Sequence, residues 1–322
     1  MRRLGLFALV VSGSAGLAGC SGTIDFASFP GALLDARCIY LERCGVVASR
    51  DHCLAYYTHA AIDNPSTQAA YDAGKLAYSA DLARDCIDAF GALSCDATEQ
   101  DPGSLDICND VITGTLAAGT TCAFDKECES NNCDVPTCTM ACCTGTCGPP
   151  VTLPAVGQPC TALCDGDAYC GVDSICHAPL PAGAACTDEP CAYGLYCKGV
   201  TPTTSGTCSP YPRLGEACEN VCADVNATCL GRCEEVGVLG DACSSDAECA
   251  FFYECTGGAC ALMPTRGMPC SSVCSDESWC NNMTCEAQKT NGATCLRNDE
   301  CLSHYCSRTS TTGTCSDVPL CF

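Results

Sequence analysis

Apolar positions fall into three regimes along the chain, and each predicts a different kind of structure. Leu4 to Val11 is an apolar run behind Met1, Arg2 and Arg3, and Ser12 to Gly19 is small-residue sequence. From Gly31 to Thr113 apolar residues return at helical intervals. Leu34, Cys38 and Leu41 lie four and three apart, which predicts a helix through DARCIYLERCG, residues 35–45, capped by Gly45. Ser49 caps a second helix through HCLAYYTHAAI to about Ile62, before Asp63, Asn64 and Pro65 interrupt it. Ser66 opens a third, with Tyr71, Tyr78, Leu82, Cys86 and Phe90 as its stripe and ALSCD as its end; a last short helix is expected over 104–112. Beyond Thr113 no apolar stripe survives, and cysteine takes its place.

Cysteine supplies 39 of the 322 residues, a density that marks a disulfide scaffold in an oxidising compartment. In the helical front Cys38, Cys44, Cys53, Cys86, Cys95 and Cys108 allow three bridges, and the first three are expected to pair with the later three across the helix packing. In the tail the phrase Gly-x-x-Cys recurs seven times, at GTTC, GQPC, GAAC, GEAC, GDAC, GMPC and GATC, beginning at residues 119, 157, 183, 215, 240, 267 and 292. The central five modules hold four cysteines each, the first of them Cys160, Cys164, Cys170 and Cys176. Loops this short bury no hydrocarbon core, so the sulfur pairs become the core, and first-to-third with second-to-fourth pairing is expected. The end modules carry odd counts: Cys122, Cys128, Cys133, Cys138, Cys142, Cys143 and Cys147 in one, Cys295, Cys301, Cys306, Cys315 and Cys321 in the other. Either these two share a long-range bridge or the modular count fails between them.

The expected fold class is therefore small disulfide-rich repeat modules with little regular secondary structure, preceded by a small all-alpha disulfide-stapled domain. The expected divisions are a lipoprotein signal peptide over 1–19, a tether over 20–30, a helical domain over 31–113, and modules over 114–156, 157–182, 183–214, 215–239, 240–266, 267–291 and 292–322. Pro and Gly elements such as APLPAG and SPYPRLG separate the modules, which predicts stiff joints and an elongated string.

The N-terminal run is too short and too rich in Gly and Ser for a membrane span and has the organisation of an export signal. Leu17, Ala18, Gly19 and Cys20 resemble a bacterial lipobox. That resemblance implies a diacylglyceryl group on Cys20, cleavage before it, and a lipid anchor in the bilayer; Ser21 in place of Asp resembles the outer-membrane pattern, with a periplasmic or surface-exposed chain. Assigning Cys20 to lipid leaves 38 cysteines, an even number. The Gly-x-x-Cys starts, with CAYGLYC at 191–197 and closing GTC at 206–208 and 313–315, resemble bacterial dickkopf N-terminal cysteine-rich-like repeats. Combined with the lipobox and helical front, the chain resembles cysteine-rich lipoproteins of myxobacterial type. No animal signalling role is carried over by that resemblance.

Charge and candidate chemistry narrow the function. A formal net charge of −23 argues against nucleic-acid binding. CADVNATCLGRC at 222–233 has thiols enough for zinc, but export favours disulfides. His52, His59, His177 and His304 form no catalytic motif, so no enzyme, catalytic residue, metal site or cofactor is expected. Asp165, Asp167 and Asp173 are a weak candidate for Ca²⁺ and lack the twelve-residue loop phrase. Phe251, Phe252, Tyr253, Trp279, Tyr193 and Tyr196 stand in modules with little interior and are the candidate binding aromatics. The resulting expectation is a non-enzymatic lipoprotein that binds or adheres to an envelope protein or polysaccharide. The alternative is a structural spacer of envelope or matrix, and a secreted enzyme is the third choice.

Overall fold

A computed structural model describes residues 23–58, 65–100, 103–136, 143–187, 189–270, 274–275, 278–308 and 311–317. Four helices form the front: α1 (Phe29–Arg43), α2 (Arg50–Thr58), α3 (Pro65–Asp72) and α4 (Ala80–Ala92). Gly45 ends α1 as expected. It takes φ +71°, its N–H donates to Glu42 O at 3.0 Å, and the N–H of Val46 reaches Leu41 O at 2.9 Å, the paired bonds that satisfy the last carbonyls of a helix. Ser49 Oγ accepts from the His52 N–H at 3.2 Å at the start of α2, and the expected extension of α2 over 59–62 lies outside the described residues.

The expected third helix is two helices and a strand. Gly74, at φ +72°, closes α3 with the same bond pair, Gly74 N to Tyr71 O and Lys75 N to Ala70 O. Ser79 then caps α4 by accepting from Leu82 N at 3.3 Å, while Ser66 sits inside the first turn of α3 behind Pro65. Between them β1 (Leu76–Tyr78) pairs antiparallel with β2 (Ile112–Gly114). The expected helix over 104–112 shortens to a 3₁₀ turn, Asp106–Asp110, because Ile112 is drawn into that sheet and Val111 is buried beneath it.

The bridges of the front are Cys38–Cys53, Cys44–Cys95 and Cys86–Cys108, so only one of the three crosses between the early and late groups. Sequence neighbours brought side by side by the α1–α2 hairpin and by α4 with its following turn pair locally instead. Around them lie three hydrocarbon cores among the described residues, one with Phe29, Ala83 and Val111, one with Leu34 and Val47, and one with Tyr40 and Leu93 about Cys44.

All seven modules share one plan. The third and fourth cysteines, the latter role being taken by Cys147 in the first module, stand directly opposite each other in an antiparallel hairpin, as in Cys197 with Cys208 and Cys255 with Cys260. Opposed residues project to the same face of a sheet. Both sulfurs therefore meet the first and second cysteines on one side, and the first-to-third, second-to-fourth pairing holds throughout, from Cys122–Cys133 and Cys128–Cys147 to Cys295–Cys306 and Cys301–Cys315. The end modules keep this four-sulfur core, and their additional cysteines are extra to it. Cys143 is also disulfide-bonded, while Cys138, Cys142 and Cys321 lie outside the described residues. In the last module the buried cluster consists of Cys295, Cys301, Cys306 and Cys315 alone.

The Gly-x-x-Cys phrase is a turn that closes the ring. Each of the seven glycines has φ between +81° and +92°, donates its N–H to the carbonyl of the fourth cysteine at 2.7–2.8 Å, and is followed by a residue whose carbonyl accepts from that cysteine's N–H. A side chain is strained at that backbone angle, which is why glycine recurs.

Two kinds of module alternate. The first, third, fifth and seventh have four or five residues between their first two cysteines, the second, fourth and sixth have three. Six residues before the first cysteine, one carbonyl always accepts from the residue after the second cysteine: Leu116, Pro154, Leu180, Pro212, Gly237, Pro264 and Lys289. In the long-loop modules that same residue also donates its N–H to the residue before the second cysteine, at 2.6–3.0 Å. The short-loop modules place proline there, which has no N–H to leave unpaired.

A carboxylate organises each long loop. Glu127, Glu189 and Glu248 accept from the backbone N–H following the first cysteine, at Ala123, Thr187 and Ser244, and Glu300 does the same at Leu296. Asp125, Asp246 and Asn298 accept from the third cysteine's N–H at 2.7–3.0 Å.

Candidate functional site

The tail does not run out as an elongated string: among the described residues, four modules touch the helical front. In the first, Lys75 Nζ lies 3.1 Å from the fully buried Glu127 carboxylate, and Thr115 N donates to Lys75 O. In the third, Tyr193 Oη donates to Ala97 O at 2.7 Å. The fourth adds a strand-like bridge to the front, Ala97 N to Ala223 O at 2.8 Å and Val225 N to Cys95 O at 3.0 Å, beside the Cys44–Cys95 disulfide. Arg213 Nη2 spans Asp96 at 2.8 Å and Glu99 at 3.0 Å. Burial alone would raise the Asp96 pKa, but hydrogen bonds from Thr98 and the Arg213 charge outweigh it and hold the carboxyl below its usual range.

The fifth module makes the deepest contact. Phe252 is 1% exposed and completes the core of Leu34, Cys38, Val47 and Cys53 between α1 and α2. Phe251 N donates to Val46 O at 3.1 Å. The His52 ring lies edge-on to Phe252 at 6.0 Å and to Tyr253 at 5.4 Å, and burial pushes its pKa down. Phe252 has φ +74°, an angle that L residues of its bulk rarely adopt. At the same distance after the second cysteine, sister modules place Asn131, Gly194 and His304, also with positive φ. A phenylalanine is tolerated in that turn because its ring enters another domain's core, worth about 1.5–3 kcal/mol of burial.

The candidate aromatics consequently divide. Phe252 and Tyr253 are interior, and Tyr196 is buried with its ring stacked on Tyr211 at 5.6 Å. Trp279 is half-buried at the joint of the last two modules, with Lys289 and Arg297 over its ring at 5.1 and 5.5 Å. Tyr193 spends its hydroxyl on the front, and Phe251, at 55% exposure, is the candidate left most open to a partner. Of the aspartates, all three exposed, Asp173 is committed to His177 Nε2 at 3.0 Å, a bond that lowers its pKa. Cys222–Cys233 and Cys218–Cys229 occupy the thiols of the zinc-like phrase. Cys20 and His59 lie outside the described residues.

No protein-family model, curated protein or solved structure matches the chain. Site assignment therefore rests on the molecule's own geometry. Away from these contacts, by which four modules clasp the front, an open apolar groove of about 660 Å³ crosses the second module, lined by Val151, Leu153, Pro154, Pro159 and Leu163 among others. Sequence reasoning had no reason to single it out, since its walls are a linker and a loop brought together by tertiary bonds such as that of Asp165 N to the Pro154 carbonyl. Among the described residues no helix is long and apolar enough to cross a membrane.

Proposed function

We propose that this protein is a non-enzymatic, lipid-anchored envelope protein, attached through Cys20 to a bacterial outer membrane and presenting its disulfide modules for binding or adhesion. The observation that carries the anchor is Leu17-Ala18-Gly19-Cys20 at the end of an export-like run. Paired disulfides in every module are consistent with an exported chain. The resemblance to dickkopf N-terminal cysteine-rich-like repeats belongs to the same reading and gives the modules a type but no partner. Growth of an expressing bacterium with a tagged fatty acid tests the anchor: the wild-type chain takes up label and Cys20→Ser takes up none. Label retained by Cys20→Ser contradicts it.

Within this reading the binding surface is the exposed Phe251 ring and the groove of the second module, with an envelope protein or polysaccharide as partner. Inward use of Phe252, Tyr253, Tyr196 and Trp279 favours the second reading, a structural spacer. Cosedimentation with purified envelope polysaccharide separates the two. Phe251→Ala and Leu163→Ser lower the bound fraction in the binding reading and leave it unchanged in the spacer reading, with thermal stability as the control.

A further inference from the structure

A lipid on Cys20 is joined to the folded front by almost no chain. The residues first expected to be a tether are instead structural from Ile24 onward. Ile24 packs on the core of Phe29, Ala83 and Val111, and its carbonyl accepts from Tyr78 Oη at 2.9 Å. Phe26 is buried, stacked on Tyr71 at 3.9 Å and edge-on to Tyr78 at 5.6 Å. Asp25 Oδ1 accepts from Ser28 N at 2.8 Å, and α1 follows at Phe29. Four residue steps separate Cys20 from Ile24, a reach of at most about 14 Å when fully extended. The headgroup layer of one leaflet takes up roughly 5–7 Å of that.

We propose that the helical front is seated directly on the bilayer, with no stalk, and that the face it fits is a zwitterionic one; this rests on the lipid-anchor reading of Cys20. The charge argument comes from the front itself. Residues 20–113 carry fourteen carboxylates against five Lys and Arg. Held within about one Debye length of the surface, roughly 8 Å at physiological salt, that domain is repelled by an anionic leaflet and tolerated by a neutral one.

Neutron reflectometry on the full lipidated chain in a supported phosphatidylcholine bilayer reads the gap between headgroups and protein. The expected gap is under about 10 Å, and a twenty-residue Gly-Ser insertion between Gly22 and Thr23 widens it towards about 25 Å, the natural span of such a linker. Replacing one lipid in five by phosphatidylglycerol at low salt is expected to lift the wild-type front towards the roughly 9 Å that its connection leaves beyond the headgroups, with reversal at physiological salt. A wild-type gap beyond about 10 Å, or one that the insertion does not change, overturns the seating. A gap indifferent to phosphatidylglycerol overturns the preference for a neutral face. Failure of any protein layer to form contradicts the anchor itself and is distinguishable from both.

Discussion

The helical front and the modular tail solve the same problem with different materials. The front has Phe29, Leu34, Val47, Ala83 and Val111 to bury and uses three disulfides as staples around hydrocarbon. The tail modules bury sulfur against sulfur, with at most one aromatic ring beside it, such as Tyr253 against Cys249 and Cys260. With Tyr253 already in that place, a second ring of the fifth module must find an interior elsewhere. Phe252 finds one in the front, and this exchange ties the two regions together.

Reduction should separate the two materials most sharply. Bridges closing 10 to 19 residues in the modules contribute about 3 kcal/mol each, and besides them a module has only short hairpins, turns and loop hydrogen bonds to hold it together. With reductant, hydrogen exchange across 150–317 should become unprotected while α1 and α4 keep part of their helical circular dichroism. Equal loss from both regions would show that the front's hydrocarbon contributes little.

Next in size is Glu127, buried with Lys75 as its ion-pair partner at the seam between front and first module. Glu127→Ala should cost about 3–5 kcal/mol in urea unfolding, because it strands the Lys75 charge and frees the Ala123 N–H. The alternation of modules predicts an asymmetry of about the same kind but smaller. Leu116→Pro removes a backbone bond to Glu127 O and should cost roughly 2–3 kcal/mol, whereas Pro154→Leu, where no such bond exists, should change stability by under about 1 kcal/mol. Similar costs for both would remove the physical reason given for the alternation.

Acid should loosen the clasp in two stages, each a small effect. His52 has a lowered folded pKa, so its contribution is complete above the unfolded value near 6.5 and declines as pH falls below it. Asp96 has a lowered folded pKa as well; its contribution is complete above an unfolded value near 3.9 and is lost as pH falls through the folded one. Melting temperature against pH should therefore fall first below about 6.5, with a second decline below about 4 that Arg213→Ala weakens. A flat profile in His52→Gln over the first interval would confirm the source, and an unchanged profile would refute it.

Much of this fold was legible in the sequence. The seven Gly-x-x-Cys turns, the crossed pairing and the Gly45 and Ser49 caps followed from residue types whose backbone needs are local. Gly74 and Ser79 carry the same signals, but the Tyr71–Tyr78–Leu82 stripe masked them by continuing at helical spacing through a strand. The alternation was also written, as Pro154, Pro212 and Pro264 at one fixed position before short loops, and a register of modules aligned on the first cysteine exposes it. What local reading could not supply was the clasp. Arg213 with Asp96, and Phe252 with Leu34, are joined by tertiary contact alone. Only Phe252, standing where other modules put Asn, Gly or His, left a trace in the sequence.

Phe252→Gly tests the shared core most directly. Glycine suits a backbone at φ +74°, so within its own turn the change relieves strain, while for the front it removes the ring that closes the core between α1 and α2. Hydrogen exchange on the oxidised chain should show α1 and α2 losing protection by about 3 kcal/mol or more, with the fifth module's hairpin, 253–262, retaining its own. Unchanged or increased protection of α1 and α2 would mean that the front folds without the tail, and would contradict the account.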